Sequence, residues 1–277
     1  MKLGGHGWEL ALLPETGGAI AALQHDGRDV LRRAPEGAAD VLAAACFPLV
    51  PYANRIANGQ FAAGGETYQL PLNFGDHPHS LHGFGWQSGW AVEDVGADHA
   101  VLVHAHDGSA GWPWAYRAEQ RFALAPGAAR IELSLTNLAD TPMPVGLGLH
   151  PYFPCDADTR LRFEAETLWL ADATMLPAET APAAYFGDWA GGAAVRGDAL
   201  IDNSYEGWDG LAQIEQCWGR IAIQGEGAGV LHLFRPPGAD FFCVEPVSHL
   251  PDAINRGGMD ALARGETRRL AMTLSVR

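Results

Sequence analysis

Histidine accounts for 11 of the 277 residues, and those of chemical interest lie beside turns. His77, His79 and His82 fall in Asp76-His-Pro-His-Ser-Leu-His-Gly-Phe-Gly85, where Pro78 and two glycines bar a helix or an uninterrupted strand. His150 ends the apolar run 143–149, expected as a strand, and Pro151 then forces the chain out of it. Glu245 closes the apolar segment Phe241-Phe-Cys-Val-Glu245 and is also followed by proline. Side chains at strand ends are held by a rigid sheet while facing a cleft, which suits catalysis. A carboxylate behind four apolar residues is a candidate for a perturbed pKa, and a histidine for proton transfer at neutral pH.

Each of these residues also has an ordinary reading. One histidine near a turn is most often a hydrogen-bonded loop residue, and Glu245 alone is as easily an ion-pair partner for an arginine. The spacing H-x-H-x-x-H at 77, 79 and 82 invites a metal site, but Pro78 stiffens it and no carboxylate or cysteine follows at ligand spacing. The expectation is no metal and no cofactor. The 9 tryptophans are core by default, although Trp86, Trp90, Trp112 and Trp114 are suited to facing a sugar ring.

Composition excludes whole classes of chemistry. Lys2 is the sole lysine, and a terminal lysine is poorly placed for Schiff-base or P-loop chemistry. Cys46, Cys155, Cys217 and Cys243 are far apart, which suits neither a zinc cluster nor a disulfide scaffold. Three of them adjoin apolar or aromatic residues and read as buried thiols. Signatures of zinc hydrolases, serine esterases and dinucleotide enzymes are absent from the sequence. With 18 Lys+Arg against 33 Asp+Glu, the formal charge of −15 disfavours nucleic acid and anionic membranes as partners. No apolar run reaches the ~20 residues of a membrane span, and MKLGGHGWEL lacks a signal-peptide core. The expectation is a soluble, cytoplasmic protein.

The elements that must position these residues are strands. Polar and apolar residues alternate over 116–124 and 131–138, with Ala125-Pro-Gly127 as the turn of a hairpin. Further strands are predicted at 8–13, 19–25, 60–63, 67–70, 100–106, 220–224, 230–235, 241–245 and 269–276. Only 36–45 has the pattern of a helix, a short one. The Ala/Gly/Pro-rich stretch 172–197 reads as a surface excursion of one domain spanning 1–277 rather than as a linker. Many short strands with 34 glycines and 18 prolines scattered between them predict an all-β sandwich or barrel. Pattern alone stops at an all-β protein with the traits of a sugar-binding enzyme.

Five segments go further. Phe47-Pro-Leu-Val-Pro-Tyr-Ala-Asn-Arg-Ile-Ala-Asn-Gly-Gln-Phe61, Leu81-His-Gly83, Gly148-Leu-His-Pro-Tyr-Phe153, Leu200-Ile-Asp-Asn203 and Val244-Glu-Pro-Val-Ser-His249 resemble, in order, motifs of the aldose 1-epimerase (galactose mutarotase-like) family. The opening Leu13-Pro-Glu-Thr-Gly-Gly-Ala-Ile20 is similar too, so the resemblance covers nearly the whole chain. It implies a large twisted antiparallel β-sandwich with a monosaccharide cleft on one face. It also implies Glu245 as general base, His150 as general acid and His82 as a second active-site histidine near the ring oxygen. Arg55, Asn54 and Asp202 match residues that hold sugar hydroxyls. Phe84 stands where many galactose mutarotases carry a second glycine, and the chain is shorter than theirs.

The implied reaction explains the residue types. A cyclic hemiacetal opens when a base takes the anomeric O1 proton and an acid protonates ring O5. An ionised Glu245 and a histidine of ordinary pKa near ~6.5 match those roles. The same fold also admits a hexose-6-phosphate 1-epimerase, which needs a basic phosphate pocket, or a binding module without catalysis.

Overall fold

In the computed structural model, residues 1–109 and 111–277 are described. Two antiparallel sheets dominate, as the alternation predicted. The first has nine strands in the order Ala91–Val95, His99–Asp107, Ala115–Ala125, Ala128–Asn137, Thr267–Val276, Gly219–Glu226, Leu211–Gln216, Arg160–Phe163 and Ala193–Ala194. The second runs Pro177–Pro182, Thr167–Ala171, Ile201–Glu206, Val230–Arg235, Phe241–Val247, Gly148–Leu149 and Pro48–Leu49, with Tyr152–Pro154 also paired to Phe241–Val247. A four-stranded sheet, from Lys2–Gly5 to Arg28–Asp29, adjoins them. No helix among the described residues is long and apolar enough to cross a membrane.

The alternation of side chains builds a core between the sheets. Phe122, Ile131, Leu133, Leu270 and Met272 from the nine-stranded sheet share one buried cluster with Leu231, Leu233, Phe242, Val244 and Tyr205 from the other. Residues of opposite parity in the second sheet leave that core. Val230, Cys243, Val247 and Tyr152 join a separate cluster with Phe47, Leu49 and Trp86 on the sheet's far face. Part of the outer face of this sheet is therefore covered by the segment 41–53 and by Trp86.

The expectations and the structure differ in three places. No α-helix spans 36–45; Gly37 adopts φ +74°, which breaks helical geometry, and only the 3₁₀ turn Val41–Ala43 forms, capped by Asp40. The run 143–149 is not one strand. It divides at Gly146, so that Met143–Val145 pairs with Asp260–Leu262 and Gly148–Leu149 with Pro48–Leu49. A Cβ at Gly146 would lie 2.0 Å from Nε2 of His249, so this crossing needs glycine. The stretch 172–197 is more than a surface excursion, because Pro177–Pro182 and Ala193–Ala194 supply an edge strand to each sheet. Three of the four cysteines, Cys46, Cys155 and Cys243, are buried, as expected, and Cys217 is exposed although it adjoins Trp218.

The burial pattern ranks positions for stability. Leu233 is 1% exposed in a central strand, whereas Leu211 is 55% exposed near an edge. Leu233→Ala is expected to cost about 2–5 kcal/mol and Leu211→Ala less than about 0.5 kcal/mol in urea unfolding. Equal losses at the two sites would contradict this assignment of the core.

Candidate active site

Three neighbouring strands of the second sheet carry the site through their outward parity. His232 stands directly across from Glu245, and Ser204 directly across from His232. Asp202, two residues before Ser204, shares that face. Tyr152 lies opposite Cys243. His150 follows the short strand Gly148–Leu149, and its N–H donates to the carbonyl of Phe47 at 3.0 Å.

The other half of the site comes from two loops clamped together. Arg55–Ile56 pairs with Ser80–Leu81. Asn54 and His82 both adopt left-handed backbone, with φ of 55° and 58°. Their contact is reciprocal: the His82 N–H donates to the Asn54 carbonyl at 2.8 Å, and the Asn54 N–H donates to His82 Nδ1 at 3.0 Å. Because Nδ1 accepts, the neutral ring carries its proton on Nε2. His79 Nδ1 accepts the Asn58 N–H at 3.0 Å, and His77 Nδ1 accepts the His79 N–H at 3.2 Å. The H-x-H-x-x-H spacing thus supplies a set of backbone pins. From the opposite side, His249 Nε2 accepts the Ala53 N–H and Asp252 Oδ1 accepts the Ala57 N–H.

The clamp delivers Arg55 onto Asp202, with Nη2 to Oδ2 at 2.9 Å and Nη1 to Oδ1 at 3.4 Å. Arg55 Nη1 also donates to Asn54 Oδ1 at 3.0 Å. His232 lies between Asp202 and Ser204, with Nε2 2.8 Å from Asp202 Oδ1 and Nδ1 2.9 Å from Ser204 Oγ. Burial alone would raise the Asp202 pKa. The His232 hydrogen bond and the Arg55 charge overcome that and hold the carboxyl well below the usual range. Sequence reasoning passed over His232 and Ser204. Their parity in predicted or paired strands was the available signal, but parity does not say which strands are neighbours.

Glu245 and His150 meet on the other wall, with Oε1 and Nε2 3.4 Å apart. The His150 ring is stacked between Phe47 (centroids 4.6 Å) and Tyr152 (4.8 Å), and the Arg32 guanidinium covers Tyr152 at 4.0 Å. The His82 ring lies 5.6 Å from that of His150. Two buried polar atoms here have no protein partner, Glu245 Oε2 and His150 Nδ1. An orphaned pair inside a packed site marks a place built for something other than stability.

The protonation states differ from the sequence expectation of an ionised Glu245 beside an ordinary histidine. Burial, reinforced by the Asp202 charge, pushes the Glu245 carboxyl well above its normal range. Burial also drives His150 down to about 3, with the His232 charge adding to the effect, and pulls His82 well below its normal value. Both members of the close pair are therefore drawn toward their neutral forms. Burial selects a couple that shares one proton over an ion pair.

The structure thus brings Glu245, His150, His82, Arg55, Asn54 and Asp202 into one site. His79 is 2% exposed and is a pin of the loop. A concavity of about 800 Å³ lies elsewhere, between the N-terminal sheet and the segment 33–38.

A family profile described as aldose 1-epimerase matches residues 5–275. The chain belongs to the aldose 1-epimerase family. The uncharacterised protein YphB of Escherichia coli (strain K12) is 31% identical over 293 residues, covering 95% of this chain and 93% of that protein. A solved structure of an Escherichia coli K12 protein superposes with a TM-score of 0.91 at 33% identity, covering 100% of this chain and 98% of the other. A galactose mutarotase-like protein from Clostridium acetobutylicum shares the fold at 20% identity, with a TM-score of 0.87 and coverage of 100% and 94%. The all-β antiparallel sandwich is that of these relatives.

The raised Glu245 pKa has a direct readout. In infrared difference spectra of the protein against Glu245→Gln, a protonated carboxyl band is expected to persist above pH ~4.3, the ordinary glutamate value. A band lost at or below that pH would refute the burial argument.

Proposed function

We propose that this protein is an aldose 1-epimerase that interconverts the α and β anomers of a free monosaccharide, acting as a single cofactor-independent domain. One observation carries the reading. Glu245 and His150, 3.4 Å apart, each leave a buried polar atom without a partner, in the same site as the Arg55–Asp202 pair.

The one-proton couple is the state the chemistry needs. Anomerisation moves a proton from O1 to O5 and later back, so the enzyme must accept one proton while it supplies another. Glu245 as carboxylate takes the O1 proton, and His150 supplies N–H to O5. The C1–O5 bond breaks, C1–C2 rotates, and the reverse transfers close the other anomer. His82, neutral with its proton on Nε2, donates a hydrogen bond near the ring oxygen without changing charge. Arg55, Asn54 and Asp202 hold hydroxyls as a preorganised polar set.

Two other readings fit the site less well. A phosphate ester requires a cation free to meet it, yet the Arg55 guanidinium is already paired with Asp202. A pure sugar binder has no use for a coupled acid–base pair.

Polarimetry with glucose, galactose and glucose 6-phosphate tests the reading, with faster anomerisation of a free sugar expected. Preference for the phosphate ester, or binding without rate enhancement, would overturn it. Glu245→Gln and His150→Asn should each lower kcat by about 10²–10⁴-fold while sugar still binds. His82→Asn should lose less, and Arg55→Ala or Asp202→Ala should also raise KM. If the two transfers form one step, Glu245→Gln/His150→Asn should be little worse than the poorer single variant. The active one-proton couple is depleted as pH rises through the raised Glu245 pKa, so the alkaline limb of kcat/KM belongs to the couple and should lie above pH ~4.3.

A further inference from the structure

The base of the site holds a residue that the proton-transfer reading leaves idle. Nε2 or Nδ1 of His150, a carboxylate oxygen of Glu245 and Sγ of Cys243 lie within 4.8 Å of one another, all on buried residues. Cys243 precedes Glu245 by two positions in Phe241–Val247 and so shares its face. Two ligands at ~2.0–2.1 Å from a tetrahedral zinc ion are themselves about 3.4 Å apart. His150 Nε2 and Glu245 Oε1 already have that separation, 3.4 Å, which is long for a hydrogen bond. A thiolate at ~2.3 Å from the same ion lies roughly 3.6 Å from each, so Sγ, within 4.8 Å of both, needs a shift of at most about 1 Å. Glu245 Oε2, buried and without a partner, adds an unused acceptor to the cluster.

We propose that His150, Cys243 and Glu245 form a binding site for a thiophilic divalent cation, Zn²⁺ or Cd²⁺, and that this cation and the sugar exclude each other. Imidazole, thiolate and carboxylate select such ions over Mg²⁺ or Ca²⁺, which take oxygen ligands. On binding, the thiol proton and the proton shared by Glu245 and His150 both pass to water, and thiolate sulfur, carboxylate oxygen and imidazole nitrogen each donate a lone pair to the metal; no electron is transferred. Carboxylate and thiolate together cancel the charge of +2, so the buried site gains no net charge. The ion occupies the lone pairs through which Glu245 and His150 exchange protons, and turnover stops. The competition rests on the acid–base reading above; the cation site does not.

The test uses the full chain in a Cys217→Ser background, which removes the only exposed thiol. Titration with Cd²⁺, followed by the ultraviolet sulfur-to-cadmium charge-transfer band, should show one site. The band should vanish in Cys243→Ala and in Cys243→Ser, and survive in Cys46→Ala. Saturating monosaccharide should weaken Cd²⁺ binding by at least ~10-fold. Cys243→Ala should raise the Zn²⁺ concentration that half-inhibits anomerisation by at least ~10-fold and leave metal-free kcat within about twofold. A band that persists without Cys243 would overturn the site, and a Cys243-dependent band indifferent to sugar would overturn the competition. If the protein does not anomerise sugars at all, the cadmium band alone still decides the site.

Discussion

The register of three strands governs everything else in this molecule. Ile201–Glu206, Val230–Arg235 and Phe241–Val247 pair so that Ser204, His232 and Glu245 lie in one row, while Tyr205, Leu231, Leu233 and Val244 face the inter-sheet core. Side chains alternate with a period of two, so a slip of one residue would exchange the faces. Glu245 would then enter the apolar core and Val244 the site. The burial of Leu231, Leu233, Phe242 and Val244 therefore also fixes where the catalytic candidates point.

A second constraint is the supply of hydrogen bonds to irregular backbone. The segment 53–58 joins no large sheet, and buried N–H groups there need acceptors. Imidazole nitrogens of His82, His79 and His249, with the Asp252 carboxylate, fill that need. The same bonds set the His82 tautomer and bring Arg55 against Asp202. Loop structure and site chemistry share these hydrogen bonds.

The two walls of the site treat charge in opposite ways. On one, Asp202 keeps its charge because Arg55 and His232 both donate to it at close range. On the other, Glu245 has no cation at contact distance and is pushed toward its neutral form by burial, as is His150. One wall is a fixed ion pair suited to holding hydroxyls; the other is a poised couple whose proton is free to move. On the proposed reading, this separation keeps the strong cation from quenching the base.

Much of this was legible in the residues alone. The strands 8–13, 19–25, 60–63 and 230–235 have the bounds that alternation assigned, since local periodicity records which face is buried. Glu245 and His150 stood out because a charged or titratable group ending an apolar strand is conspicuous in one dimension. The helix expected over 36–45 failed because helical pattern is weak evidence against one glycine at positive φ. Asp202 was reached only through a motif, because Ile201–Glu206 alternates too faintly to read as a strand. His232 and Ser204 were not reached at all. Their roles follow from strands distant in sequence becoming neighbours, and pairing partners are chosen by the burial of the whole sheet rather than by any local pattern. Protonation was likewise decided by the tertiary structure. The sequence names the titratable groups, but desolvation and the charges that surround each of them exist only once the chain has folded around them.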